Sequence, residues 1–481
     1  MDKNIQNQQT IFIDKAEIDK IFNAQVNNRW NISRTSAIER IAKLKRLENW
    51  IVNNKQSIRD AIYKDFKKPA ADVDLTEIFT VLSEIRHTIR HLKKWTKPHR
   101  VKRTMALITT RSWIQYEPRG VVLIIAPWNY PFNLIVTPLV SAISAGNCTI
   151  LKPSELAKNT SNLISKMAED LFAKDEIAVI EGEKDVSIEL LKKPFDHIFF
   201  TGSTAVGKKV MAAASKNLSS ITLELGGKSP VIIDETANLS DAAQKIVWAK
   251  LMNCGQSCIA PDYVLVNESV SSELIKQLKH FITKFYGADN SEWQTCPDYA
   301  RIIDKQLFQR LSRVLNDTVQ DGAKIESGGD LNESEKYISP TVLSNVKTDS
   351  TIMEEEIFGP ILPILNYSSL NEAIDLIRRK PKPLALYIFS KNQQNIDHVL
   401  AYTSSGGVCI NDTLIHFSQN YLPFGGVNDS GAGRSHGFFG FRTFSNEKAV
   451  VKHNRFSPLK LMYPPYTKRV RKIIDIIVKY F

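Results

Sequence analysis

Cys254 and Cys258 stand four residues apart in the stretch NCGQSC (253–258), within a chain of 481 residues that has five cysteines in all. Two thiols so spaced could be half of a metal site, a redox pair, or one working thiolate beside a spectator. A zinc site needs two more soft ligands, and Cys148, Cys296 and Cys409 each stand alone with no histidine at suitable spacing. No metal is therefore expected. A disulfide across C-x-x-x-C in a helical segment is unattractive in a reducing compartment, which leaves one reactive thiolate. His87 and His91 lie one helical turn apart, a spacing that can hold a metal, but no HExxH glutamate separates them and no third ligand is visible. They are expected to be two surface histidines.

A thiolate needs partners, and four other stretches offer polar groups. TLELGGKSP (222–230) sets Glu224 between apolar residues and ahead of two glycines. Apolar packing raises a carboxyl toward the working range of a general base, and it equally describes a buried, hydrogen-bonded structural glutamate. In APWNYPF (126–132), Pro127 and Pro131 interrupt regular structure and leave Trp128 and Asn129 at a strand's end. An amide held there could stabilise an oxyanion; capping is the alternative. FFTGSTAVGKKV (199–210) runs from a buried strand through Gly202 and Ser203 into a helix that opens toward Gly207. Unpaired N–H groups at such a helix start can hold a pyrophosphate, although the spacing departs from GxGxxG and an ordinary strand-to-helix turn accounts for it as well. In LKPSE (151–155), Lys152 and Glu155 follow a strand, where a carboxylate can accept hydrogen bonds from ribose hydroxyls and repel a 2′-phosphate. Pro153, Ser154 and Glu155 also suit the first turn of a helix.

Elements of regular structure must bring these groups together. Before residue 100 the chain reads as helices: Ile58, Ile62 and Phe66 form one stripe, and Leu75, Ile78, Leu82, Ile85, Ile89 and Leu92 alternate steps of three and four, predicting one amphipathic helix. From Val121 the pattern changes to short β-branched runs, VVLIIA (121–126), CTILK (148–152), IAVI (177–180), HIFF (197–200) and VII (231–233), mostly separated by helix-length segments. YVLVN (263–267), ALYIFS (385–390) and GGVCIN (406–411) continue the series. Such alternation predicts parallel strands with helical crossovers, two α/β lobes, and ligands beyond the strands' carboxyl ends.

A hydrophobic fraction of 43% with 24% charged residues excludes disordered and fibrous classes, and the length calls for more than one domain. No stretch approaches the roughly 20 consecutive apolar residues of a spanning helix. Scattered cysteines and the polar start MDKNIQNQQT point to a reducing, cytoplasmic setting. The net charge of +12 could signal an anionic partner, with HLKKWTKPHRVKR (91–103) the densest basic run before the tail. A solvated helix end and linker is the favoured account, since no nucleic-acid motif accompanies it.

EPRGVVLIIAPWNYPFN, LKPSE, FFTGSTAVGKKV, TLELGGKSP, NCGQSCIAPDY, EEEIFGPILPI (354–364) and LPFGGVNDSGAGRSHG (422–437) resemble, in order and separation, the motifs of the aldehyde dehydrogenase superfamily. The resemblance runs from about Ile38 to Tyr466 and is greatest to the class 3 and fatty aldehyde dehydrogenase branch, through GSTAVG, APDY and LKLMYPP (459–465). It implies an α/β fold: a Rossmann-like cofactor domain with a helical N-terminal part (1–94 and 116–222), a catalytic domain (223–410), a small β oligomerisation or bridging element (95–115 and 411–460), and a basic amphipathic tail (461–481). It also implies NAD or NADP as cofactor, with Glu155 favouring NAD, an aldehyde as substrate, no metal, no nucleic acid, and a homodimer.

Residue by residue, the resemblance makes Cys258 the nucleophile, with Cys254 where relatives often carry serine. Glu224 matches the general base and Asn129 the oxyanion donor. Glu356 and Phe358 match positions beside the nicotinamide and its ribose. Trp128, Lys152, Glu155, Gly202, Ser203 and Gly207 match further cofactor contacts. The implied chemistry is attack of the Cys258 thiolate on the aldehyde, hydride departure to the nicotinamide, and hydrolysis of the thioester with Glu224 as base. Acylating relatives lack this glutamate.

The last stretch, YTKRVRKIIDIIVKYF (466–481), places Val470, Ile473, Ile474, Ile477 and Phe481 on one helical face with basic residues elsewhere. It is too short to span a membrane. Lying on an anionic membrane surface, or packing on the subunit interface or over the substrate entrance, are the two expectations, and either suits long apolar aldehydes. Two rivals differ from the main expectation: a semialdehyde or acylating dehydrogenase of narrower range, and an idle basic protein that binds membrane or nucleic acid. Cys254 is expected to be a spectator, with a reversible protective disulfide to Cys258 as its other possible role.

Overall fold

Runs such as VVLII and CTILK place apolar residues at successive positions, which suits strands covered on both faces. In a computed structural model, which describes residues 15–104, 107, 109–453 and 458–480, both runs are buried throughout. The polar opening decapeptide and Phe481 lie outside the described residues. Six strands form the first sheet, in the order Gly431–Ala432, Ser220–Leu225, His197–Gly202, Val121–Ile125, Cys148–Lys152, Ile177–Val179, parallel except at Gly431–Ala432. Strand succession reverses beside Val121–Ile125, so a crevice is expected where that strand and His197–Gly202 end. The PWN and GS turns emerge there.

Seven strands form the second sheet, from Lys324–Ser327 at one edge through Thr341–Ser344, Ile361–Tyr367, Tyr263–Asn267, Pro230–Ile233 and Ala385–Phe389 to Gly407–Ile410. All its pairings are parallel except that of Lys324–Ser327. A third, antiparallel sheet joins His99–Arg100, Thr110–Pro118 and Ser445–His453, which ties the middle of the chain to its late part. The basic run thus ends one helix at Trp95 and begins this sheet.

Several helical expectations need correction. The stripe from Leu75 to Leu92 is not one helix: a turn Ala70–Val73 leads into a π-helical segment, Asp74–Ile78, and only then into Phe79–Trp95. The widened turn shifts the phase, so that Leu75 is 52% exposed while Glu77 is buried. Glu77 accepts from the Asn133 N–H at 2.8 Å and pairs with Lys68 at 2.8 Å, both side chains being fully buried. Lys68 Nζ also lies 4.0 Å from the centre of the Tyr130 ring. His87 is buried, not on the surface: its ring packs, tilted or edge-on, against His91, Trp95 and Tyr421, and loss of solvent lowers its pKa to about 4. LKPSE opens no helix. The next one starts at Lys158, where the Asp65 carboxylate accepts from the N–H groups of Asn159 and Thr160.

The tail forms the helix Lys468–Tyr480, none of whose residues is buried, and its main packing neighbour is the preceding turn, Pro458–Met462. Among the described residues no helix is long and apolar enough to cross a membrane.

The Lys68–Glu77 pair yields a stability prediction. Lys68→Met strands a buried carboxylate and should cost about 3–5 kcal/mol in urea unfolding. Lys68→Met with Glu77→Gln, which keeps an acceptor for the Asn133 N–H, should recover more than half of that loss. A single mutant as stable as the parent would show that the pair carries no such weight.

Candidate active site

The helix Leu239–Leu251 ends in a tight turn, Met252–Gly255, in which Asn253 and Cys254 both adopt φ of 54° and Gly255 follows at 72°. NCGQSC is therefore not the helical segment that its spacing suggests. Left-handed non-glycine residues cost roughly 1–3 kcal/mol each, so surrounding structure must hold them. Gln256 supplies much of that hold. Its side chain donates to the carbonyls of Asn253 and Arg301, each at 3.0 Å, and accepts from the Ile303 N–H at 3.0 Å. A Cβ at Gly255 would collide with the Gly359 carbonyl, which sets this turn directly against EEEIFGP. Cys254 is fully buried in the core, and burial pushes its thiol up to about 12. All five cysteines are free thiols.

Cys258 is half-buried and forms part of the wall of a cavity of about 180 Å³. Leu75, Phe79, Leu134, Trp248, Met252 and Ile415 make most of that wall apolar. Cys254 is absent from it. Loss of solvent raises the Cys258 thiol far above its ordinary range, the Glu356 and Glu224 carboxylates adding to the effect. The Asn129 amide donates to the Gln256 carbonyl at 3.1 Å, and the Asn129 carbonyl accepts from Asn253 Nδ2 at 2.9 Å. Asn129 thus bolts the PWN turn to the turn before Cys258 rather than capping a helix, and an amide nitrogen with two hydrogens keeps one to spare. Glu224 lies buried on Ser220–Leu225, in register with Thr201 and Gly431. Burial lifts its pKa to about 7 against a hydrogen bond donated by Ser435 Oγ.

The residues read as cofactor contacts gather around the ends of the first sheet's strands and the EEEIFGP loop. Trp128 meets Phe358 edge to face with ring centres 5.5 Å apart. Ser203 caps the helix Thr204–Ser215, its hydroxyl accepting from the Val206 N–H at 3.4 Å, directly after Gly202 at the strand end. Gly207 has a different reason to be glycine, since a Cβ there would press into the Leu225 side chain between helix and strand. Lys152 is buried and bonds to the Pro153 carbonyl at 2.8 Å and to the half-exposed Glu155 at 3.2 Å. Glu356 rests against Gly226, where a Cβ would occupy the position of its carboxylate. Loss of solvent, with the Asp262 charge, lifts Glu356 to about 8, while the Gly227 N–H opposes the shift. The Thr201 hydroxyl is buried with no protein partner among the described residues. A helix start, two flanking rings, an orphaned hydroxyl and a carboxylate over a glycine fit a dinucleotide carrying a nicotinamide.

Comparison with known proteins decides the family. The aldehyde dehydrogenase family profile matches residues 6–450. The chain belongs to the aldehyde dehydrogenase family. Relatives include the 4,4′-diaponeurosporen-aldehyde dehydrogenase of Staphylococcus aureus, 45% identical over 92% of this chain and 96% of that protein. Aldehyde dehydrogenase family 3 member B1 of Rattus norvegicus is 43% identical over 95% of this chain and 96% of its own length. The solved structure of the substrate-bound state of Staphylococcus aureus AldH superposes with a TM-score of 0.91 at 43% identity, covering 96% of this chain and 99% of that one. This aldehyde dehydrogenase is accordingly an NAD(P)-dependent oxidoreductase that converts aldehydes to carboxylic acids.

Sequence reasoning missed three residues of the site. Lys228 pairs with Asp262 and donates to the carbonyls of Ile352 and Glu355 at 2.8 and 2.7 Å, so it positions EEEIFGP from below. Its place directly after Gly226 and Gly227 was the available signal. Gln256 and Ser435 stood inside quoted motifs, but nothing local reveals their distant partners.

A labelling experiment tests the contrast between the two thiols. Alkylation of Cys258 in the cofactor-free enzyme should be slow at pH 7 and still rising at pH 10, because a raised thiol yields little thiolate at neutral pH. Cys254→Ser should leave this profile unchanged, and Cys258→Ala should abolish it. Saturation near pH 8 would contradict the dry environment assigned to Cys258.

Proposed function

We propose that this enzyme oxidises medium- or long-chain aliphatic, or aromatic, aldehydes, with Cys258 as nucleophile, Asn129 as oxyanion donor and Glu224 as general base. The observation that carries this reading is the apolar cavity with the Cys258 thiol in its wall. The apolar wall receives the aldehyde's tail and orients its carbonyl toward sulfur. Thiolate attack makes the carbon tetrahedral, and the Asn129 amide with the Cys258 backbone N–H stabilises the oxyanion. Losing one such donor typically raises the barrier by about 2.7–4 kcal/mol. Bound NAD(P) supplies the acceptor for the departing hydride. Glu224 takes a proton from the water that attacks the thioester, the Cys258 sulfur leaves, and the acid is released. Trp128, Phe358, Gly202, Ser203 and Glu356 hold the cofactor, with Lys152 and Glu155 at its adenine ribose; the half-exposed Glu155 carboxylate favours NAD.

Further features support finer parts of the reading. Gly407–Ile410 and Ser445–His453 each end a sheet among the described residues, and edge strands of this kind suit a homodimer built by strand addition between subunits. Residues 95–115 and 411–460 then act as the bridging element between the cofactor part (1–94 and 116–222) and the catalytic part (223–410). Five free thiols accord with a reducing cytoplasm. The tail helix, none of whose residues is buried, with Val470, Ile473, Ile474 and Ile477 half-exposed and basic residues around them, suits peripheral contact with an anionic membrane.

Aldehydes of increasing length, assayed with each cofactor on the full chain and on one truncated after Pro465, test substrate class and tail together. At roughly 0.8 kcal/mol per buried methylene, kcat/KM should rise about fourfold per carbon until the cavity is full. A flat profile, or preference for an aldehyde bearing a second carboxylate, would refute the apolar class. Full-length enzyme should sediment with anionic vesicles and the truncated form should not. Glu224→Gln should reduce cofactor in a single burst and retain the thioester; steady turnover at the parent rate would remove Glu224 from hydrolysis.

A further inference from the structure

Glu224 is the only ionisable residue of the strand Ser220–Leu225, and its side chain meets a hydroxyl from far along the chain: Ser435 Oγ donates to Glu224 Oε1 in a buried contact. Ser435 does not owe its position to Glu224. Its N–H donates to the Phe424 carbonyl at 2.7 Å, and its carbonyl accepts from the Phe424 N–H at 3.2 Å, a two-way bridge that fixes the backbone. Two residues on, the Gly437 N–H donates at 2.8 Å to the buried carboxyl of Glu84 on the helix Phe79–Trp95. A Cβ at Gly437 would strike the Asn420 carbonyl, which closes the third side of the loop. The hydroxyl is therefore held from both directions along the chain before Glu224 is considered.

We propose that Ser435 is a positioning residue for thioester hydrolysis, holding one oxygen of Glu224 so that the carboxylate is kept ionised with its other oxygen free for water. The proposal rests on the reading of Glu224 as general base. Ser435 transfers no proton: the proton from the attacking water passes to Glu224, and the serine only donates a hydrogen bond. Around Glu224 the titratable groups are the Cys258 thiol, which faces it, and the His436 imidazole next to Ser435, held neutral near 4 by burial. Thr201 and Gly431, its strand neighbours, carry no charge. Neither Cys258 nor His436 can supply the stabilisation that Ser435 gives the ionised form. A hydrogen bond that favours the charged form lowers a carboxyl's pKa, so losing it must move the acid limb of hydrolysis to higher pH.

Breakdown of a preformed Cys258 acyl-enzyme, and the aldehyde-driven burst with cofactor, should be followed against pH for the parent, Ser435→Ala, Ser435→Thr and Glu224→Gln. Ser435→Ala should move the acid limb of that breakdown up by about one to two pH units, the scale of one hydrogen bond to a charged group. At high pH its rate should recover to within about threefold of the parent. Its burst rate should not change, and Ser435→Thr, which keeps the hydroxyl, should restore the limb. An unmoved limb in Ser435→Ala, together with loss of hydrolysis in Glu224→Gln, would overturn the proposal while leaving the base assignment intact. Parent-like hydrolysis in Glu224→Gln would overturn both. Should Ser435→Ala prove unstable, Ser435→Cys, a weaker donor, must shift the limb by a smaller amount in the same direction, and an unshifted limb there also overturns the proposal.

Discussion

Gln256 closes the nucleophile turn, and the geometry of the site depends on that closure. The residue is fully buried, and each polar group of its side chain is bonded: two donated hydrogen bonds go to Asn253 and Arg301, and one is accepted from Ile303. Its backbone carbonyl receives the amides of both Asn129 and Asn253. Three segments that no regular element connects, the PWN turn, the turn before Cys258 and the stretch around residues 301–303, therefore meet on one residue. Leaving a single one of these buried groups unpaired would cost about 1–3 kcal/mol, comparable with the strain of one left-handed residue in the turn. The strained conformation at Asn253 and Cys254 persists because the buried bonds offset it, and it carries the chain out of a helix with Cys258 at the cavity wall.

The dryness that makes those bonds strong also sets the chemistry at rest. Burial pushes the Cys258 thiol, Glu224 and Glu356 toward their neutral forms. Both carboxyls therefore carry less negative charge at neutral pH than exposed ones would. The charge opposing thiolate formation is thus smaller than two carboxylates would impose. On the proposed reading, an oxyanion in the same low-dielectric surroundings would gain more from the Asn129 amide than it would in water. A thiolate that is costly to form, in a site that strongly rewards the negative charge once it moves to oxygen, places the stabilisation late along the reaction rather than in the resting enzyme.

Parallel strands covered on both faces read as short β-branched runs, and each such run read between Val121 and Asn411 is a strand, whereas Ser220–Leu225, Thr341–Ser344 and Ile361–Tyr367 were not among them. The proposed roles of Cys258, Glu224 and Asn129 rest on motifs, each a local signal. What local signals could not carry is the pairing of groups far apart in the chain. Ser435 and Glu224 are separated by 211 positions, and Glu84 and Gly437 by 353. Periodicity also failed where buried charge overrode it. The regular step from Leu75 to Leu92 predicts an unbroken helix, but burying Glu77 with Lys68 accompanies a π-helical turn that rotates Leu75 out of the core. His87 looked solvent-facing because histidine is usually polar surface, and only Trp95 and Tyr421 closing over it show otherwise.

That rotation has a consequence for substrate entry. Leu75, Phe79, Trp248 and Ile415 are apolar side chains that remain between 39% and 56% exposed, and all four line the cavity. Scattered exposed hydrophobes need no explanation, but a group on one cavity rim exposes apolar area that the chain must tolerate. Helix phase, a buried ion pair and a loop residue combine to keep that rim apolar. On the proposed reading an aldehyde with a long tail reaches Cys258 while staying in contact with apolar surface, and a charged substrate would have to shed water against a wall that offers it little in return. Selectivity in such a site comes less from bonds made to the favoured substrate than from the desolvation imposed on the others.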